Sequence, residues 1–350
     1  MIKKQIKKNK IFSLYKKKIN IPLIWIIVFS LLLAGISFVA GIVLVKAKLK
    51  LVGSDTTKLT SNTVFDAENT DKPELDFYVM SFCPYGNQIE TTLQPVFDLI
   101  GDNVTIRPRY IFEKVEGDLA SYCKKMYTSP YNVSQCPDLL KQYPDQIKDL
   151  ADCKSQLATI ASQYATEEKT CNNENQYLKV GNNYYTSLHG RIEANQNVRE
   201  ICAYNLTEDK KNWWDFIKNV NDNCTSTNAD TCWEEQAKKA GLDTNKITEC
   251  FNNDASKLIE EEIADTTAKN ISGSPTIIIN GKNFPPTDTA STETNIKIGK
   301  EVFSLNDIRN SNVIKAALCT GFKKEPKVCS TEIKEPTADT VTTDSTGNCN

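Results

Sequence analysis

The stretch LDFYVMSFCPYG, residues 75–86, sets one cysteine between an apolar run and the start of a helical pattern. Leu75 to Met80 is apolar and aromatic apart from one acid, so it reads as a buried strand. From Gln88 to Ile100, the positions Ile89, Leu93, Val96, Phe97 and Ile100 recur at helical spacing, and Pro95 predicts a kink. Asn103 to Phe112 (NVTIRPRYIF) reads as a second strand. Strand, helix and strand in this order predict a right-handed crossover into a parallel pair. Cys83 then stands just past the first strand, with Pro84 in a first-turn position where its missing N–H matters little. Unpaired N–H groups and the helix dipole stabilise a thiolate at such a place, and no acid lies within three positions of Cys83 on either side. A depressed thiol pKa and a nucleophilic role follow. The competing reading is an unreactive remnant in a fold retained for binding.

Outward from this unit, residues 119–269 read as helical segments separated by Asn-rich turns, and they hold eight of the 12 cysteines. They form an insertion of about 117–269 and not a second domain. Thr276 to Asn280 (TIIIN) resumes strand character, and Gly281 opens a turn or longer loop. Ile296 to Phe303 offers a last strand, and Ser304 is placed to cap a helix through Leu318. Residues 46–72 lack apolar periodicity and read as a linker, and 330–350 as a mobile Thr- and Asp-rich tail. The folded domain is thus 73–329.

Residues 21–45 carry no charge, and 25 residues at roughly 1.5 Å each span about 37 Å, enough to cross a bilayer. The run exceeds a signal peptide's apolar region and no A-x-A site follows it, so it reads as an uncleaved single-pass anchor. Eight lysines and no acids occupy residues 1–20, a basic cytoplasmic tail by the positive-inside rule. The remainder, 34 basic against 44 acidic residues, carries −10, and beyond about residue 46 it lies on the extracytoplasmic side of the cell membrane. That charge excludes nucleic-acid binding by the body. Extracytoplasmic cysteines read by default as disulfides. A single histidine and no paired C-x-x-C exclude a multi-histidine metal site and structural zinc, and no cofactor is expected. The five N-x-S/T sequons are no more than such a composition supplies by chance.

Strand, C-P-Y, helix and strand resemble the thioredoxin superfamily, especially DsbA-like oxidoreductases with a helical insertion. Ser274-Pro275-Thr276 before a strand is similar to that superfamily's cis-proline loop, which implies a cis bond and a loop facing Cys83. His189-Gly190-Arg191-Ile192-Glu193-Ala194-Asn195-Gln196-Asn197 through Cys202 resembles the signature of the gamma-interferon-inducible lysosomal thiol reductase family, C-Q-H-G-x-x-E-C-x-x-N-x-x-x-x-C. Trp214-Asp215-Phe216-Ile217, the segment Cys232 to Cys250, and Cys319 to Cys329 look like the same family. The likeness implies local disulfides Cys232–Cys250 and Cys319–Cys329. It leaves open the pairing of Cys123, Cys136, Cys153, Cys171, Cys202 and Cys224, for which six cysteines allow 15 connectivities.

Two signature cysteines are replaced, by Ser187 and Ala194, and the second cysteine of the active-site C-x-x-C is replaced by Gly86. The first two fit a lost pair, leaving Cys202 in need of another mate. Gly86 makes the site C-P-Y-G, which forms a mixed disulfide but lacks the local thiol that releases it. Release then requires an external thiol or another cysteine of the chain; Cys349 either serves, links two molecules, or is incidental. His189 reads as structural within its turn, Trp213 and Trp214 as core, and Tyr85 equally as a substrate contact or as packing over the helix start. The expectation is a membrane-anchored thiol–disulfide oxidoreductase of reductase or isomerase type, acting on extracytoplasmic protein disulfides. Cys83 is its nucleophile, and Pro84, Tyr85, Ser274 and Pro275 hold substrate. The alternative is a redox-inactive thioredoxin-like binding or chaperone module.

Overall fold

Strand β2 (Glu74–Val79) is buried on both faces, and its period-2 alternation sorts its side chains between two helical layers. On one face Phe77 lies 5.8 Å from the Trp214 ring, nearly parallel to it, and 6.3 Å from Trp213. On the other, the Tyr78 hydroxyl donates to Asp265 (2.7 Å) and Lys269 Nζ reaches Asp76 (3.3 Å). The computed structural model that carries this arrangement describes residues 63–287, 289 and 293–334.

In chain order the elements are β1 (Val64–Phe65), β2, α1 (Pro84–Ile100), β3 (Thr105–Tyr110), β4 (Glu113–Lys114), α2 (Leu119–Met126), α3 (Cys136–Gln142), α4 (Leu150–Cys171), β5 (Leu178–Val180) and β6 (Asn183–Thr186). Then follow α5 (Arg191–Leu206), α6 (Lys210–Asn223), α7 (Ala229–Lys239), α8 (Thr244–Ala268), β7 (Thr276–Ile279), β8 (Lys282–Phe284), β9 (Asn295–Ile298), β10 (Glu301–Ser304) and α9 (Ser311–Cys319). The main sheet runs β3-β2-β7-β8, with β2 and β3 parallel and the other neighbours antiparallel. Ile89, Leu93, Val96 and Ile100 form the buried stripe of α1, which packs against α6 and α9. This mixed sheet between helices is a thioredoxin-like α/β fold, and α2 to α8 are its insertion.

Several expectations need correction. Helix α1 begins at Pro84, four residues before Gln88, because proline preorganises a first turn that apolar periodicity does not mark. Asn280 and Gly281 both have positive φ (45° and 80°) and make a two-residue hairpin into β8, which decides between the turn and the longer loop. Ile296 to Phe303 is two strands folded at Gly299 (φ 57°), and they join β1 in a separate three-stranded sheet. That sheet makes residues from Val64 onward part of the domain and not linker; Phe65 and Ala67 are core. Ser304 caps only a short 3-10 turn, and α9 starts at Ser311 under Asn310. A second small sheet, β4-β6-β5, lies inside the insertion, where the sequence pattern shows only helices.

The disulfides within the insertion are Cys123–Cys171, Cys136–Cys153, Cys202–Cys250 and Cys224–Cys232. The expected Cys232–Cys250 bridge is therefore wrong. Cys232 follows α6 closely enough in space to meet Cys224 at its end, and Cys250 on α8 instead supplies the mate that Cys202 on α5 required. Cys319 is bonded to Cys329. Thr331 to Lys334 belong to the domain and not to a tail, since Ile333 exchanges both backbone hydrogen bonds with the Asn312 amide at 2.8 Å. Residues 1–20, the span 21–45 and the tail from 335 lie outside the described residues. Among the described residues no helix is long and apolar enough to cross a membrane.

Candidate functional site

Cys83 occupies the N-cap of α1 with extended backbone (φ −74°, ψ 118°), and Pro84 begins the helix. Its N–H donates to the Met80 carbonyl (3.0 Å), and its own carbonyl receives the Asn87 N–H (2.9 Å), the first bond of the helical ladder. By position the N–H groups of Tyr85 and Gly86 have no partner in that ladder. No side chain caps the helix and its first turn holds no acid. The helix terminus is thus open to negative charge at the Cys83 sulfur.

Opposite it, the Ser274–Pro275 peptide bond is cis, and the Ser274 carbonyl oxygen lies 3.6 Å from Cys83 Sγ. Five residues named from the sequence, Cys83, Pro84, Tyr85, Ser274 and Pro275, therefore converge. Cys83 is buried and disulfide-bonded, while Tyr85 is 44% exposed with the Arg309 guanidinium 5.3 Å from its ring. Gly86 faces the same loop: a Cβ there would stand 2.9 Å from Ser274 Oγ and 3.3 Å from the Met80 carbonyl oxygen. Ser274 Oγ, buried and without a protein partner, thus occupies the space beside the position of a second thiol. Cys232 and Cys250 are staples of the insertion, and Cys319 and Cys329 staple the end of α9.

The loop that presents Cys83 is held from α5. Glu193, Asn197 and Glu200, at i, i+4 and i+7, share one helix face and are all buried. Glu193 Oε1 accepts the Phe82 N–H (2.9 Å), and Asn197 Oδ1 accepts both the Ser81 N–H (3.0 Å) and its hydroxyl (2.7 Å). Ser81 Oγ also lies 2.9 Å from Glu200 Oε2. His189 contacts Glu193 twice, Nδ1 to Oε1 and N–H to Oε2, each at 2.8 Å. It braces Glu193 and does not touch the sulfur loop directly. Ser187, in place of a signature cysteine, bonds the Ile111 carbonyl (3.2 Å) and the Asn197 amide (3.3 Å).

Burial pushes Glu200 up from its usual 4.5 to about 7, against hydrogen bonds from Gln196 and Ser81 that favour its charge. Burial, and then the charge of Glu200, holds Glu90 of α1 well above the carboxylate range, with the Asn221 amide opposing. The hydrogen bond to Glu193 raises His189, and burial opposes it. A protonatable carboxyl cluster therefore lies under the cysteine loop. In the sequence, Glu193 and Asn197 stand out only as matches to a signature, and nothing marks Glu90 or Glu200. The stripe 193, 197 and 200 on an inward helix face is the signal that could have found them.

The family described as the vacuolar sorting receptor thioredoxin-like domain matches residues 123–287, a range that includes Ser274 and Pro275 but not Cys83. No curated protein matches the chain in sequence. Among solved structures, the chain is similar to a Nitrosomonas europaea protein described as a protein disulfide isomerase (13% identity, 68% of this chain and 94% of that chain covered, TM-score 0.32). It is also similar to a probable DsbA oxidoreductase from Streptomyces coelicolor (12%, 61% and 85%, 0.32). A third is a 2-hydroxychromene-2-carboxylate isomerase (13%, 67% and 89%, 0.31).

Proposed function

We propose that the chain is a membrane-anchored thiol–disulfide oxidoreductase of the gamma-interferon-inducible thiol reductase type, working on extracytoplasmic proteins through Cys83. The observation that carries this reading is the 3.6 Å approach of Cys83 Sγ to the carbonyl preceding a cis proline, at an uncapped helix start. In the reduced protein the open N–H groups favour the Cys83 thiolate, which attacks a substrate disulfide in line and expels one substrate thiolate. The Ser274 backbone offers the substrate chain a strand-like partner beside the sulfur, Pro275 fixes that backbone's direction, and Pro84 and Tyr85 bound the approach. The signature residues Glu193 and Asn197 hold the loop so that the sulfur does not retreat on attack. The run 21–45 anchors the chain, with the basic residues 1–20 cytoplasmic. Its partners are disulfide- or thiol-bearing proteins of that compartment.

The test is reduction of insulin disulfides by the full chain and by Cys83→Ser, with capture of mixed disulfides in membranes. Exchange by the wild type alone, with Cys83 alkylating at a midpoint below about 8.5, is the expected result. Equal rates for the two proteins would instead support a redox-inactive binding module.

A further inference from the structure

The chain has five arginines, and four of them, Arg107 and Arg109 on β3 and Arg191 and Arg199 on α5, are bound to carboxylates. The fifth, Arg309, is exposed and makes no ion pair among the described residues. Its guanidinium carbon lies 5.3 Å from the centre of the Tyr85 ring, and Tyr85 stands two residues from Cys83 at the start of α1. Resting on the exchange reading above, we propose that Arg309 is a specificity residue of the site and receives a carboxylate that the substrate carries beside its disulfide.

The fold places this cation from both sides. Before it, Ile308 packs against the core; after it, Ser311 Oγ donates to the Thr92 carbonyl of α1 across 2.9 Å. Thr92 follows Tyr85 by two helical turns, so the chain around Arg309 is pinned to the same face of α1 that carries Tyr85. Asn310 caps α9 by accepting the Asn312 N–H (2.9 Å), which fixes where that helix begins. The nearest acid in sequence, Asp307, closes a 3-10 turn whose carbonyl takes the Asn310 N–H (2.9 Å), and it forms no ion pair with Arg309.

A guanidinium drawn to an aromatic ring keeps its N–H groups in the planar fork that matches a carboxylate. Tyr85 is 44% exposed and Arg309 is exposed, so ring and cation meet solvent together at the rim of the site. The first turn of α1 holds no acid, so nothing acidic there competes for the cation or repels an incoming anion. Elsewhere the balance is the opposite, since the chain beyond residue 20 carries −10. Two residues of helix rise by only about 3 Å. A carboxylate seated on Arg309 therefore belongs to a group close to the sulfur that Cys83 attacks.

The experiment uses the full chain, mildly reduced so that peptide mapping still finds the five described disulfides, and then freed of reductant. One pair of probes is a disulfide-bonded peptide with Glu or Gln beside the cysteine; the other is oxidised glutathione and the uncharged bis(2-hydroxyethyl) disulfide. The Cys83 thiolate attacks one probe sulfur, the probe disulfide breaks, and the other sulfur leaves as a thiolate that takes a proton. Mass spectrometry follows the adduct at Cys83. Wild type is expected to favour the carboxylate-bearing probe by roughly three- to tenfold in rate at limiting concentration. Arg309→Gln is expected to bring that ratio to about one, Arg309→Lys to keep part of it, and Arg309→Glu to reverse it. A preference within the peptide pair assigns the carboxylate to a protein substrate, and one confined to glutathione assigns it to a small thiol. An effect of Arg309 on the thiolate alone would slow both probes equally. A ratio near one in the wild type, or one that Arg309→Gln leaves unchanged, therefore overturns the proposal while exchange at Cys83 stands. No wild-type adduct with any probe overturns the exchange reading itself.

Discussion

The backbone N–H of Phe82 donates to Glu193 Oε1 across 2.9 Å, tying the loop before Cys83 to a helix 111 residues later in the chain. The same oxygen meets His189 Nδ1 and the other takes the His189 N–H. Glu193→Ala strands these donors in a buried site, at about 1–3 kcal/mol for each one left unmade. Its denaturation midpoint is expected to fall and exchange at Cys83 to slow. Glu193→Gln keeps an acceptor for Phe82 and recovers part of both. If Glu193→Ala exchanged at the wild-type rate, α5 would not position the loop.

A Cβ at Gly86 meets Ser274 Oγ at 2.9 Å, and that hydroxyl has no protein partner. Gly86→Ala is expected to cost about 1–3 kcal/mol by overpacking, while Ser274→Ala removes an unsatisfied polar atom and is neutral or stabilising. Combined, the second change relieves the first, giving a coupling of about 1 kcal/mol or more in a double-mutant cycle by urea denaturation. Strict additivity would show that the two residues do not share this space.

How much of this is legible in the sequence follows residue by residue. The β2–α1–β3 unit and the facing Ser274–Pro275 loop are readable because burial there is written in local periodicity and in turn residues. The three-stranded sheet is not, since β1 pairs with β9 through Val64 and Lys297, and two-residue strands carry no periodic signal. Disulfide connectivity fails for a related reason. Cys232 and Cys250 are near in sequence, but α7 and the turn after it direct them to different helices. The buried Glu90 and Glu200 look like any surface glutamates until α1, α5 and α6 are packed together.

Those connectivities set an order of stability. Cys202–Cys250 closes 48 residues and Cys224–Cys232 only 8, so the chain-entropy model assigns them about 4 and about 2.5 kcal/mol. Replacing both cysteines of the longer loop by serine is expected to lower the thermal midpoint more than replacing both of the shorter one. Because Cys202 and Glu200 share α5, the longer-loop variant should also loosen Ser81 and slow exchange at Cys83. The reverse order in a calorimetric comparison would argue against both pairings.

The carboxyl cluster fixes the sign of the pH dependence. Burial raises Glu200 from 4.5 to about 7 on folding, and Glu262, buried against β3, does the same. In each case the unfolded chain ionises first as pH increases, so stability is full below about 4.5, declines between about 4.5 and 7, and is level above. A shift of this size corresponds to on the order of 3 kcal/mol for each group. Glu90 acts in the same direction, and so does His189, whose raised pKa makes its contribution fade as pH passes above its folded value. Asp230 and Asp265, despite the opposing effect of burial, are lowered from 3.8 by hydrogen bonds and nearby cations, so their contribution is lost only in stronger acid. Urea denaturation is therefore expected to give a higher midpoint at about pH 5 than at about pH 8. Glu200→Gln, which keeps an acceptor for Ser81 without the charge, should raise the value at the higher pH and leave the lower one nearly unchanged. A wild-type midpoint that holds or rises across that interval, or a variant with the wild-type slope, would show that Glu200 is not protonated on folding.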